Sequence, residues 1–371
     1  MTPAEAFDEI APRLRRRPDI EAHDLVAADA SDRLILTEAG SPQGEVAVIG
    51  DRYGALTLSL LRTDPGLRIR VHQDALTGER ALALNAADLG VSLERVTWHD
   101  LDPSLVAGAG TALLQLPRSL DALDEIAGVV AGAGARLVAG GRIKHMTVSM
   151  NDVLARHFGR VDVSRAASKS RVLHAGEPLA RTAGVWPRRE HHADLGLTVC
   201  AHGAAFAGTS VDIGTRYLLT FLGDMRRAER AIDLACGTGV LATMLATAQP
   251  RARVVATDQS AAAVASARAT AEVNGVADRV EVVRDDGLGA QPDRSADLIV
   301  LNPPFHSGAA VTEEIAPRMF ADAARVLTAG GELWCVFNSH LAYRPLLERT
   351  VGRTRQAGRN AKFTVTVSTR R

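Results

Sequence analysis

Ten residues, Asp297 to His306, read Asp-Leu-Ile-Val-Leu-Asn-Pro-Pro-Phe-His and carry the groups best placed for chemistry in this chain. Asn302 offers a carboxamide, Pro303 and Pro304 offer carbonyls that no local helix can use, and Phe305 offers a ring. A planar exocyclic amine has two N–H groups to donate. A side-chain oxygen and a backbone carbonyl can accept both while the ring stacks on the attached heterocycle. Such bonds hold the nitrogen lone pair out of conjugation and aim it at an electrophile. A proline turn beside a core phenylalanine is the competing description, and the tetrapeptide alone does not separate the two.

These groups need elements to hold them. The apolar run ended by prolines predicts a buried strand whose carboxyl end stops where the loop begins. Asn302 is pushed out of the helical region by Pro303, and in an open α/β sheet that strand edge is where ligands bind. Upstream, RAIDLACGTG reads as strand and turn, VLATMLATA as a helix, ARVVATDQS as a strand, SAAAVASARATAEVNGV as a helix and VEVVRDDG as a strand. Downstream come a helix through MFADAARVL and the strands GELWCVFN and FTVTVST. The amino half runs in the same order: EVAVIG, DRYG, ALTLSLLR, then RIRVHQD, LTGERALALNAADLG, TALLQLP, LDALDEIAGVVAGAG and ARLVAGGRI. Alternation of this kind predicts an α/β protein, with parallel sheets covered on both faces. The repeated order predicts a duplication, divided here as residues 1–185 and 186–371.

Composition narrows the classes. The 371 residues are 46% hydrophobic, 23% charged and only 4% aromatic, with 43 basic against 43 acidic side chains. A polyanion must therefore be met by local patches rather than by the overall field. Cys200, Cys236 and Cys335 are far apart and lack metal-ligand spacing, so no metal is expected and reduced thiols in a cytosol are. The amino terminus lacks the apolar core of a secretory signal, and no run has the length to cross a bilayer. A soluble cytoplasmic protein with no membrane partner is expected. Gly141 to Arg189, rich in Arg, Lys and His, reads as a basic connector, and Arg349 to Arg371 is a second basic stretch. Charge runs are usually solvated faces, but two of them in a neutral chain also fit a phosphate-binding surface.

A second constellation lies at Asp233-Leu234-Ala235-Cys236-Gly237-Thr238-Gly239, where a strand turns into a helix. Glycines there allow a ligand close to the backbone. Asp258 ends the next strand about 20 positions on, a spacing at which a carboxylate can accept from ribose hydroxyls. Gly239 is followed by Val-Leu-Ala with no third glycine, so a nicotinamide enzyme is disfavoured. Asp285 and Asp286 follow the strand VEVV, and a carboxylate there could accept from an adenine amine. The order Asp-x-x-x-Gly-x-Gly, two acidic strand ends, then Asn-Pro-Pro-Phe is that of class I methyltransferases using S-adenosylmethionine.

With those residues in place the chain resembles the bacterial ribosomal RNA guanine-N2 methyltransferases, the small-subunit type C and large-subunit type G enzymes. DLACGTG, NPPFH (Asn302 to His306) and GGELWCVFNSHLAYRPLLERTVG carry the resemblance in the carboxyl half; GDRYGAL (Gly50 to Leu56) and LLQLPRSLDAL carry it in the amino half. GRNAKF at Gly358 to Phe363 leans toward the large-subunit type. The resemblance implies two tandem Rossmann-like methyltransferase domains, the first degenerate and serving as scaffold and RNA-binding surface. DRYGA stands there where a cofactor turn needs its glycine pair, and Gln115-Leu116-Pro117-Arg118 stands in place of the Asn-Pro-Pro-aromatic loop.

Carried over by position, Asp233, Ala235, Gly237 and Gly239 line the methionine portion of S-adenosylmethionine and Asp258 holds its ribose. Asp286, in preference to Asp285, meets the adenine. Asn302 and the Pro303 carbonyl orient the guanine amine and Phe305 stacks on the base, while His306 is as readily structural or RNA-contacting as catalytic. The implied partner is ribosomal RNA or a ribosomal subunit, and a monomer is compatible with the resemblance. The same loop would serve methylation of adenine N6 or of a glutamine side chain. A non-catalytic RNA-binding protein that keeps the fold is a rival from another class, against which the intact Asp233, Gly237, Gly239, Asp258 and Asn302 speak.

Overall fold

The computed structural model describes residues 1–23, 25–179, 186–304 and 309–371, the last span as backbone only over 309–314. Two compact units divide the chain, Met1–Trp186 and Pro187–Arg371. The first holds β1 (Glu45–Ile49), β2 (Arg68–His72), β3 (Val96–Trp98), β4 (Ala109–Gln115), β5 (Arg136–Arg142), β6 (Phe158–Val163) and β7 (Ser170–Pro178), in sheet order β3-β2-β1-β4-β5-β7-β6. The second opens with a hairpin of β8 (Arg188–His192) and β9 (Leu197–Ala201). Its sheet holds β10 (Arg230–Leu234), β11 (Arg253–Asp258), β12 (Val280–Arg284), β13 (Ala296–Leu301), β14 (Leu327–Asn338), β15 (Gly352–Arg359) and β16 (Phe363–Arg370). Its order, β12-β11-β10-β13-β14-β16-β15, repeats that of the first.

Both sheets are buried on both faces, which is why their central strands read as unbroken apolar runs rather than as alternation. In β10 and β13, Ala231, Leu298 and Val300 pack into one core while Ile232, Leu234, Ile299 and Leu301 pack into the other. Val46 and Val48 of β1 face one core of the first unit, and Ala47 and Ile49 face the other. Helices enter from capped turns. Ser260 accepts the Ala263 N–H to begin the helix Ala261–Val273, and Asp212 accepts from Gly214 and Thr215 to begin Ile213–Leu219. These side chains satisfy amide donors that have no intrahelical partner.

The basic stretch from Gly141 is not a connector. It supplies β6 and β7, which pair antiparallel on the β5 edge of the first sheet. Val172, Leu173 and Ala175 are buried while Arg165, Lys169 and Arg171 are exposed. Short apolar sets interleaved with cations conceal a strand in the sequence. The edge strand β15 likewise turns out Arg353, Arg355 and Arg359, and such charges discourage pairing with another sheet edge. Among the described residues no helix is long and apolar enough to cross a membrane.

Candidate active site

The carboxyl ends of β10, β11, β12 and β13 lie side by side in the second sheet, and the residues singled out above leave from them. After β10 the backbone enters the left-handed region at Ala235 (φ 60°), Gly237 (52°) and Gly239 (76°). A Cβ on Gly239 would stand 2.8 Å from the Cβ of Ala267, so the close approach of the helix Ala261–Val273 requires glycine there. A Cβ on Gly237 would meet nothing within 4 Å, so that position faces open space. Its N–H donates to Asp258 Oδ2 at 3.0 Å, while Asp258 Oδ1 accepts from the Ser260 N–H at 3.0 Å. One carboxylate thus fixes two turns at the sheet edge.

Asp233 sits below this turn. It is fully buried, and its Oδ2 accepts the Ala242 N–H at 2.8 Å, at the start of the helix Val240–Ala248. Its Oδ1 is buried with no hydrogen-bond partner among the described residues. Burial, opposed by that one amide bond and reinforced by the nearby Asp258 charge, pushes its carboxyl up to about 8. The two acids after β12 part company. Asp285 is buried and accepts the Ala290 N–H at 2.7 Å within its own loop, whereas Asp286 is partly exposed and lies 3.3 Å from the Arg318 guanidinium.

Asn302 leaves the end of β13. Its Nδ2 donates to Asp212 Oδ2 at 2.9 Å and to Thr215 Oγ1 at 3.0 Å. A carboxylate only accepts, so Asp212 dictates which end of the carboxamide faces it. The Oδ1 is thereby turned away, and it is buried without a partner among the described residues. An orphaned buried acceptor costs about 1–3 kcal/mol, and a ligand N–H would relieve it. Pro303 is buried and Pro304 exposed. Phe305 and His306 lie outside the described residues. Sequence reasoning missed Asp212 and Thr215: an Asp before an amphipathic helix signals an N-cap, but nothing local ties it to a carboxamide 90 residues away.

A Streptomyces coelicolor relative, ribosomal RNA large subunit methyltransferase G, is 37% identical over 370 residues, spanning 95% of this chain and 96% of the relative. The chain belongs to the ribosomal RNA large subunit methyltransferase G family. A Pseudomonas aeruginosa protein of the same name is 35% identical, with 95% and 96% covered. The family model RLMG N-terminal domain matches residues 4–178, and Methyltransferase small domain matches residues 196–367. In fold the chain is similar to a solved T. thermophilus enzyme, the 16S rRNA N2 G1207 methyltransferase in complex with AdoMet and guanosine. The TM-score is 0.75 at 24% identity, with 92% of each chain covered.

The two matched halves of the chain can be superposed residue by residue from strand register. Glu45 pairs with Arg68 as Arg230 pairs with Arg253, and Thr111 lies opposite Val46 as Leu298 lies opposite Ala231. Arg52 then occupies the position of Gly237, Gln73 that of Asp258, and Gln115 that of Asn302. Gln73 accepts the Arg52 N–H at 3.1 Å where Asp258 accepts that of Gly237. Gln115 donates to Asp32 and has Ser31 Oγ at 3.4 Å, so its carboxamide is engaged at both ends. The first unit keeps the frame of the site and lacks its open glycine and orphaned acceptor.

Proposed function

We propose that the second unit transfers a methyl group from S-adenosylmethionine to the exocyclic N2 amine of a guanine in large-subunit ribosomal RNA, acting in the cytoplasm with the first unit as scaffold and RNA-binding surface. The observation that carries this reading is the Asn302 Oδ1, buried without a partner among the described residues and anchored through its Nδ2 on Asp212 and Thr215 at the edge where Gly237 faces open space. The methyltransferase G relatives and the T. thermophilus enzyme solved with AdoMet and guanosine support it. The cofactor's sulfonium supplies an activated methyl electrophile.

What remains for the protein is positioning, which can account for most of the acceleration when the electrophile is already activated. Gly237, Gly239 and Ala235 would let the backbone approach the methionine portion, with Asp233 acting on it through the turn it buries beneath. Asp258 would hold the ribose and Asp286, the more exposed of the pair, the adenine. Asn302 Oδ1 and the Pro303 carbonyl would accept the two N–H bonds of the guanine amine, and Phe305 would stack on the base. A dedicated general base is not demanded, because the methylated amine can lose its proton to solvent after transfer. A target base paired in a helix must leave its stack to reach such an edge, at a few kcal/mol, so a looped guanine is favoured.

The test is incubation with methyl-labelled cofactor and large-subunit RNA, small-subunit RNA, DNA or a release factor, followed by nuclease digestion and mass spectrometry. The expected product is N2-methylguanosine from large-subunit RNA. Label recovered as N6-methyladenosine or in protein would overturn the assignment.

A further inference from the structure

Asp212 spends only one of its two oxygens on the fold. Its Oδ2 accepts the Gly214 N–H at 2.8 Å, the Thr215 N–H at 3.1 Å and Asn302 Nδ2 at 2.9 Å. Its Oδ1 has no hydrogen-bond partner among the described residues, and the side chain is only half-buried. The carboxamide that it holds also ends in an unanswered Oδ1. Two acceptors, one charged and one neutral, therefore stand side by side at the end of β13, and no donor among the described residues satisfies either.

Gly214 keeps the ground beside them clear. Its φ is not in the left-handed region, so the backbone would admit a side chain, and alanine would strengthen the helix. A Cβ there, however, would stand 3.0 Å from Asp212 Oδ2, 3.2 Å from Phe363 Cε1 and 3.4 Å from Asn302 Oδ1. The first unit divides the same tasks differently. Asp29 caps its helix and accepts from Ser31, while the Gln115 carboxamide donates to Asp32, which is buried further along that helix. Only in the second unit does the cap itself hold the carboxamide and keep one oxygen open at the sheet edge.

Guanine suits such a pair of acceptors. Its ring N1–H lies beside its exocyclic amine, so it presents donors in a row. Adenine presents a bare N1 beside its N6 amine, and a glutamine amide presents its carbonyl oxygen beside its nitrogen. A carboxylate only accepts, so it bonds the first and repels the lone pairs of the other two, a rejection built into the site.

We propose that Asp212 Oδ1 accepts the N1–H of the target guanine and so restricts transfer to an amine flanked by a ring N–H. The inference rests on the guanine reading above and deepens it: Asn302 and Pro303 hold the amine, and Asp212 identifies the base that bears it.

The experiment measures methyl transfer by the full chain to large-subunit RNA fragments synthesised around the nucleotide that accepts the label, with guanine or 2-aminopurine at that position. 2-Aminopurine keeps the amine and lacks the N1–H and O6. The unaltered chain should show a kcat/KM roughly 10- to 100-fold lower on 2-aminopurine, the effect of leaving a charged acceptor unpaired. In Asp212→Asn the amide oxygen can still anchor Asn302 while an N–H replaces the open oxygen, so the ratio between the two RNAs should fall to about 1 or invert. Thr215→Val, which removes the other anchor of Asn302, should lower both rates and keep the ratio, as a merely structural role for Asp212 would also do. An unaltered chain that methylates both RNAs alike overturns the proposal without any variant. A preference that survives in folded Asp212→Asn assigns the discrimination to O6 and overturns it too. Failure of the guanine reading shows separately, as absence of N2-methylguanosine with the unaltered chain.

Discussion

At the turn after its first sheet strand each unit drives three residues into the left-handed region: Gly50, Arg52 and Gly54 in one, Ala235, Gly237 and Gly239 in the other. Each then starts a helix over a buried aspartate. Asp51 receives two backbone amides, from Leu56 and Thr57 at 2.7 and 2.8 Å, whereas Asp233 receives one. The contact that makes glycine necessary also recurs. A Cβ on Gly54 would come within 2.9 Å of Leu82, and one on Gly239 within 2.8 Å of Ala267. The turn is therefore a property of the fold, kept by packing and by a helix terminus that needs an acceptor. The capacity to hold a ligand is a separate property, residing in a few side chains laid over it: an open glycine, an acid on the next strand, a carboxamide with one end left over.

Removing the leftover acceptor should break the comparison most visibly. Asn302→Ala is expected to lower the rate of methyl transfer by on the order of 10³-fold, the effect of deleting one preorganised polar contact to the reacting group, with cofactor affinity by calorimetry unchanged. Gln115→Ala, the matching change in the first unit, should leave the rate at saturating RNA intact. It should instead cost about 1–3 kcal/mol of stability by leaving Asp32 short of a partner. If the two variants lose transfer equally, the division of labour between the units is wrong.

The anchor of that carboxamide gives a smaller effect. With Asp212→Ala the Asn302 amide can turn over, and a misplacement of about 1 Å at a reacting group costs about 10²-fold. The loss should appear in kcat rather than in the KM for RNA. Asp212→Asn should restore part of it, since an amide oxygen can still accept from Nδ2. Loss of helix Ile213–Leu219 alone would lower stability without a split between kcat and KM, and rescue by asparagine tells the two apart.

Much of this was legible in the residues. DLIVLNPPF and DLACGTG carry a strand, its end and a turn within one short window, and the repeated order of strands and helices conveys a duplicated α/β architecture. Three things were not legible. Asp212 meets Asn302 only after folding has brought together segments 90 residues apart. The strands β6 and β7 hide because they carry few apolar residues: β6 buries only Phe158, and in β7 Val172, Leu173 and Ala175 are broken up by Arg171, His174 and Gly176. The depth of Asp233 is likewise invisible, because an acid at a strand end reads the same whether it faces a ligand or a helix terminus beneath it.

That depth yields the smallest and most discriminating prediction. Burial raises both carboxyls: Asp233, lowered by one amide bond and raised further by the Asp258 charge, stands at about 8, and Asp51, lowered by hydrogen bonds from Thr57 and Leu56, at about 6. An unfolded aspartate titrates near 3.9, so both folded values are raised. A raised carboxyl binds its proton more tightly in the folded state, so its contribution to stability is present below about pH 4 and is lost as pH rises toward the folded value. For Asp51 that loss ends near pH 6, whereas for Asp233 it continues to about pH 8. Between pH 6 and pH 8, Asp233→Asn should therefore gain on the unaltered chain by about 2 kcal/mol, at roughly 1.4 kcal/mol per pH unit for one proton. Asp51→Asn should show a constant offset. Asp32, raised to about 7, titrates in both backgrounds and cancels. Denaturant midpoints of the three proteins at the two pH values measure this directly. A flat Asp233→Asn difference would mean that the carboxyl beneath the cofactor turn titrates no higher than that of Asp51, and that the two turns are electrostatically alike.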